Sequence, residues 1–295
     1  MNYPLFYLIL LAIIARIIAN PFSNVLQKQL TQKGQHPLFI NLISYSLLAL
    51  VSLFIVFNTS FDQLPRSFWI YSIGGGITGA LGNGFIIKAL EKGDLSVLGP
   101  INAYKSIIGM IFAFILIREI PNTQGLLGVA LIIIGSYFVL DTTQERFTWK
   151  LFTQPAIQYR IGALVLTGIQ AVLDKKIIAL SSLEIAFAGW SIFGGLFSFF
   201  FILFTPIKLK TEIEKINKST VSKYLLLVLS IGIMLASTNF ALQNMPVGYV
   251  LALFQLSIIL SVILGNKFFN EGHLIKKLIG SFIMIGGSLM ILLSS

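Results

Sequence analysis

The sequence contains no cysteine, two histidines and little charge: Asp, Glu, Lys and Arg together make up 11% of its 295 residues. Without cysteine, disulfides and thiolate metal sites are excluded. His36 and His273 stand alone in polar links, no Gly-rich phosphate loop precedes a helix, and no serine has a base at useful spacing. An enzyme site, a bound metal and a cofactor are therefore not expected. Charge this scarce, beside 56% hydrophobic residues and 25 phenylalanines, excludes the balance of a soluble domain. The first apolar run, Leu5 to Ile18, lacks a basic stretch before it and a small-residue cleavage pattern after it, so it reads as a retained span. The net charge of +10 comes from Lys and Arg in short links between apolar runs. There they orient a membrane protein, and nucleic acid is not an expected partner.

What is present is a set of apolar runs, each near the roughly 20 residues that cross a bilayer. Ten spans are predicted, at about 4–27, 38–57, 68–90, 96–118, 123–140, 159–180, 184–204, 222–243, 248–268 and 274–293. The chain also repeats itself: at an offset of about 152 residues, Ala89-Leu90 falls on Ala241-Leu242, Glu119 on Glu271, Gly128 on Gly280 and Gly135-Ser136 on Gly287-Ser288. Five spans per copy force the second copy to enter from the opposite side of the membrane. The expected fold is all-α, ten transmembrane helices in two inverted five-helix repeats, residues 1–145 and 146–295, joined by the polar link from Asp141 to Arg160. Such a pair lets one central site face either side in turn. Lys208, Lys210, Lys215, Lys218 and Lys223, then Arg146, Lys150 and Arg160, then Lys267, Lys276 and Lys277 all fall on one side of this arrangement. The positive-inside rule makes that side cytoplasmic and puts both termini outside.

Ala89-Leu90, a polar link, Pro100, Glu119, Gly128 and Gly135, with Ala241-Leu242, Pro246, Glu271, Gly280 and Gly287 in the second copy, resemble the EamA signature of the drug/metabolite transporter superfamily. The resemblance spans essentially the whole chain. It implies a multi-pass bacterial inner-membrane carrier with cytoplasmic termini. It also implies a cavity walled by spans one, three, four, six, eight and nine, with amino-acid export as the favoured activity. One position departs from the pattern: Ala252 stands where Pro100 stands in the first copy, so span nine lacks the proline that would break span four, and Pro246 is a partial substitute.

The candidate site residues are polar groups at membrane depth. Arg16 lies mid-span, where a cation costs several kcal/mol unless it faces a cavity or a partner. Asn20, Ser23 and Asn24 follow it at helical spacing, and Pro21 frees a carbonyl among them. Lys105 is a second deep cation, beside Tyr104 and three residues from Asn102. Asn83, Gln170, Asn239 and Gln255 complete the expected substrate contacts, and Tyr45, Trp190 and Tyr249 offer aromatic walls. No acid is expected at mid-span, because Asp174, Glu91, Asp94 and Glu184 read as span-end or link residues. Two unpaired cations favour a substrate bearing carboxylate or phosphate. Structural or gating roles are expected for Pro21, Pro100, Glu119, Glu271, Gly128 and Gly280, the two glutamates as caps on the helix that follows each. The matched glycines of spans five and ten suit either contact between the halves or a homodimer. Two other readings stay open: a cation or drug exporter coupled to protons through Asp174 or Glu119, and a membrane scaffold that transports nothing, in which Arg16 and Lys105 would be satisfied internally.

Overall fold

The computed structural model describes residues 3–57, 63–105, 107–108, 111, 122–143, 149–245 and 247–294, with the side chains of 248, 249 and 291–294 left aside. Helices and short turns make up the described residues. They are α1 (Tyr3–Gln32), α2 (Pro37–Phe57), α3 (Arg66–Lys92), α4 (Leu95–Ile101), α5 (Thr123–Leu140), α6 (Pro155–Leu180), α7 (Leu183–Leu203), α8 (Leu209–Glu214), α9 (Lys218–Asn244), α10 (Val247–Phe254), α11 (Ser257–Phe269) and α12 (Leu274–Ser294). Seven described segments are long and apolar enough to cross a membrane. Of the other three expected spans, the fourth lies partly outside the described residues, α6 carries Arg160, Asp174, Lys175 and Lys176, and α12 carries Lys276 and Lys277 at its start. Glu119 and Pro246, named from the sequence, also lie outside the described residues.

The most extensive helix pairs join one half of the chain to the other: α5 with α12, α3 with α6, α1 with α9 and α2 with α7. Exchanging each helix for its counterpart in the other copy turns the α1–α9 pair into α3–α6 and leaves α2–α7 and α5–α12 unchanged. The packing therefore follows the internal repeat. Bulky, fully buried side chains such as Tyr45, Phe39, Phe68 and Leu98 fill the space between helices.

At the α5–α12 contact the backbones nearly touch. A Cβ at Gly135 would lie 2.6 Å from the Gly280 carbonyl oxygen, and one at Gly287 2.5 Å from that of Gly128. With no apolar driving force between helices in lipid, this close approach is what dispersion can use, and only glycine permits it. Both glycine faces are thus occupied within a single chain.

Spans four and nine are both broken, although only one has a proline. After α4, the amides of Asn102 and Ala103 donate to Gly99 and Pro100 at 2.9 Å, three residues back instead of four. After α10, those of Gln255 and Leu256 donate to Ala252 and Leu253 at 3.1 and 3.2 Å. Each tightened turn frees one carbonyl, which cannot be left unpartnered at membrane depth. Arg160 Nε donates to the freed Leu98 oxygen at 2.9 Å, and Gln255 donates its own Nε2 to the freed Leu251 oxygen at 2.8 Å. In the second copy a side-chain amide thus does what the Arg160 guanidinium does in the first. The break in span nine corrects the expectation drawn from Ala252.

Candidate functional site

Between the halves lies a cavity of about 110 Å³. It is far smaller than pockets that enclose drug-sized ligands, roughly 300–1,000 Å³. α1 supplies Arg16, Asn20, Ser23, Asn24 and Gln27 to its wall, a stripe at helical spacing. Asn83 enters from α3, Asn102 and Lys105 from the broken span four, and Gln170 from α6. Seven of the ten substrate contacts expected from the sequence are brought together here: Arg16, Asn20, Asn24, Asn83, Asn102, Lys105 and Gln170.

The other three are placed elsewhere. Tyr104 turns toward α5 and bonds Ser136 Oγ at 2.6 Å. Gln255 lies outside the cavity wall and donates its Nε2 to the Leu251 carbonyl, its Oε1 having no hydrogen-bond partner among the described residues. Asn239 lies on a different face of α9, away from the cavity. Pro21 is buried within an α1 that runs unbroken from Tyr3 to Gln32, and Pro100 precedes the break of span four.

Two residues read as peripheral line the cavity. Arg160 was expected in the link, but Pro155 opens α6 and places Arg160 in its second turn, 5% exposed. Pro at the first helical position was the sequence signal for this. Asp174, expected near a span end, is 7% exposed and lines the cavity, with Gln170 Nε2 donating to its Oδ2 at 3.3 Å. The expectation that no acid sits at depth is corrected accordingly. Gln27, Thr167 and Thr238 complete the polar wall, and Tyr45 and Trp190 pack together with ring centroids 4.4 Å apart and planes tilted by 38°.

The wall is rich in donors and cations. Arg16 donates Nε to Thr238 Oγ1 at 3.0 Å and lays its guanidinium over the Phe254 ring at 4.8 Å. Arg16 Nη1, Tyr45 Oη and Trp190 Nε1 are buried donors with no protein partner among the described residues, and Gln27 Oε1 is an acceptor in the same condition. Among the described residues, none of Arg16, Lys105 and Arg160 has a carboxylate within 4 Å. Asn83 is held in place by donating Nδ2 to Asn41 Oδ1 at 2.7 Å, and Asn41 in turn reaches Ser198 and the Ala80 carbonyl.

Beyond Gln27 on α1, a buried ion pair joins the two halves. Asn270 adopts a left-handed conformation, φ 53°, that ends α11 and turns the chain at Glu271. Glu271 then receives Lys28 Nζ at 2.7 Å, the Leu95 amide at 2.8 Å and the Ser96 amide at 2.7 Å. Lys28 also reaches the Gly93 carbonyl at 2.8 Å, and Lys277 Nζ donates to Ser96 Oγ at 2.6 Å. Glu271 is thus a cap, but on α4 of the other half and not on the helix that follows it. Burial raises its carboxyl pKa, but the bond and charge of Lys28 and the bonds from Ser96 outweigh that and hold it below the ordinary value of 4.5.

The model of the EamA-like transporter family matches residues 6–141 and again 154–293. No curated protein matches the chain. Among solved structures 28 chains match. One of them, a crystal structure of another protein, aligns with a TM-score of 0.63 over 95% of this chain and 97% of its own, at 14% identity. Identity that low speaks for a shared fold alone. With both copies of its repeat matched, the chain belongs to the EamA-like transporter family, multi-pass membrane transporters of the drug/metabolite transporter superfamily.

Proposed function

We propose that the protein is a secondary carrier that moves a small metabolite bearing a carboxylate or phosphate, by alternating access between two inverted halves, residues 1–145 and 146–295, in a bacterial inner membrane. One observation carries this reading: the cavity wall holds Arg16, Lys105 and Arg160 against the single carboxylate of Asp174. Charges taken out of water cost several kcal/mol each unless balanced, and an anion entering the cavity balances them. Arg16, anchored through Nε, keeps its other nitrogens for a planar acid group, and Lys105 adds a compact point charge. The donors of Tyr45 and Trp190 suit acceptor oxygens, while Asn20, Asn24, Asn83 and Asn102 orient the remainder. Asp174, braced by Gln170, supplies a counter-charge for an ammonium group, which favours an amino acid among such substrates. The small volume points the same way.

Asp174 also supports a second reading, export of a cation in exchange for protons bound at that carboxylate. A thermal-stability screen of purified protein against anionic, zwitterionic and cationic metabolites separates the two, because a ligand stabilises the folded state it binds. Stabilisation by anions or amino acids, lost in Arg16→Gln, is expected. Stabilisation by cations alone, retained in Arg16→Gln and lost in Asp174→Asn, would replace the first reading with the second.

A further inference from the structure

On the bilayer side of α1, apart from the cavity, Leu8, Leu11, Ala12 and Ala15 face α7 and α9 across a groove of about 590 Å³. Leu8 and Leu11 are 52% and 63% exposed, so the groove opens toward lipid. Its wall is apolar except for Glu184, Ser237 and Asn239. Asn239 is 2% exposed, and neither its Nδ2 nor its Oδ1 has a hydrogen-bond partner among the described residues. A buried amide with both ends unpartnered is costly anywhere and more so in a membrane, where no bulk water relieves it. Nothing in the transport reading uses this residue.

The groove has a vertical order. Glu184 is the second residue of α7 and exposed, which puts its carboxylate at the level of the helix ends. Asn239 precedes the end of α9 at Asn244 by five residues, about 7.5 Å along the helix at 1.5 Å per residue. Leu8 to Ala15 continue the apolar wall for about 10 Å along α1. From surface to depth the sequence is a negative charge, an amide offering one donor and one acceptor, and a hydrocarbon surface.

We infer that this groove binds one phospholipid with a primary ammonium headgroup, a phosphatidylethanolamine. Its acyl chain lies along Leu8, Leu11 and Phe187, and an ester carbonyl accepts from Asn239 Nδ2. The ammonium pairs with Glu184 at the level of the helix ends, one headgroup's length above that ester. A choline head has no N–H to give, and a glycerol head has no positive charge, so the site discriminates among lipids that share the same tails.

The test titrates detergent-purified protein with phosphatidylethanolamine, phosphatidylcholine or phosphatidylglycerol of identical acyl chains and follows the thermal midpoint. The unsubstituted protein is expected to reach half of its stabilisation at a tenfold or lower concentration of phosphatidylethanolamine than of the other two. Glu184→Gln, on an exposed side chain, should fold normally and lose that preference. Asn239→Leu should lose the response to all three lipids, and Arg16→Gln should keep it in full, so the groove and the transport cavity fail or stand separately. Equal responses to the three lipids, or an unaltered preference in Glu184→Gln, would overturn the assignment. A midpoint that rises with protein concentration and not with lipid would overturn it too, giving the groove to a second copy of the chain.

Discussion

Replacing Glu271 by Gln should destabilise the protein by about 3 kcal/mol, the lower part of the range for breaking a buried ion pair from one side. The side chains of Lys28 and Glu271 are 9% and 3% exposed and meet at 2.7 Å. Glutamine keeps one acceptor but presents an amide N–H₂ where the carboxylate receives the Leu95 amide, the Ser96 amide or Lys28. Lys28 does not lose everything, since it retains the Gly93 carbonyl and the Phe269 ring at 4.7 Å, and this keeps the cost from reaching about 5 kcal/mol. Lys28→Met should cost less, about 2 kcal/mol, because the two backbone amides still hold the carboxylate. The double substitution should fall short of the sum by 1 kcal/mol or more, as expected for groups in direct contact. Equilibrium unfolding in mixed micelles with increasing denaturing surfactant measures all three. A loss below about 1 kcal/mol for Glu271→Gln, or additivity within about 0.5 kcal/mol, would refute the view that this pair ties the halves together.

The same pair fixes a pH dependence: because the carboxyl pKa of folded Glu271 lies below its ordinary 4.5, the stabilisation is complete above that value and declines as pH falls through the folded pKa. Midpoints recorded from neutral to acid pH should therefore converge between the unsubstituted protein and Glu271→Gln. Gly135→Leu, placed against the Gly280 backbone, should cost 3 kcal/mol or more by forcing α5 and α12 apart, measured in the same unfolding assay, whereas Ile133→Ala on the exposed face of α5 should cost under about 1 kcal/mol. Gln255→Leu should cost about 1–3 kcal/mol by stranding the Leu251 carbonyl, and Gln255→Glu, which cannot donate when ionised, should not rescue it.

The repeat and the membrane class were legible because both are properties of sequence order and composition. Arg16 and Lys105 stood out for the same reason, as cations inside runs of Leu, Ile and Phe. The direction each polar side chain faces was not legible. A span apolar all round gives no amphipathic contrast, so Asn239 and Gln255 were indistinguishable in sequence from Asn83 and Gln170. Only the packing sends the first pair to the bilayer groove and the Leu251 carbonyl and the second to the cavity. Arg160 and Asp174 were misplaced because charges near the ends of apolar runs ordinarily lie in water; here α6 begins at Pro155 and carries Arg160 to the cavity within two turns. Glu271 was read from its neighbours in sequence, while its partners Lys28, Leu95 and Ser96 lie in the other half of the chain. The break in span nine was hidden for another reason: proline announces such a break, and a glutamine that repairs the freed carbonyl does not.

The central claim is that an electropositive cavity carries an anionic or zwitterionic metabolite through the membrane. The most direct measurement is counterflow in proteoliposomes loaded with unlabelled amino acids, dicarboxylates or sugar phosphates, with labelled compound of the same kind outside, for the unsubstituted protein, Arg16→Gln and Lys105→Gln. Accumulation of at least one such compound, reduced tenfold or more by either substitution while the protein stays folded, is the predicted result. Counterflow confined to cations, or counterflow of an anion that neither substitution alters, would contradict the account.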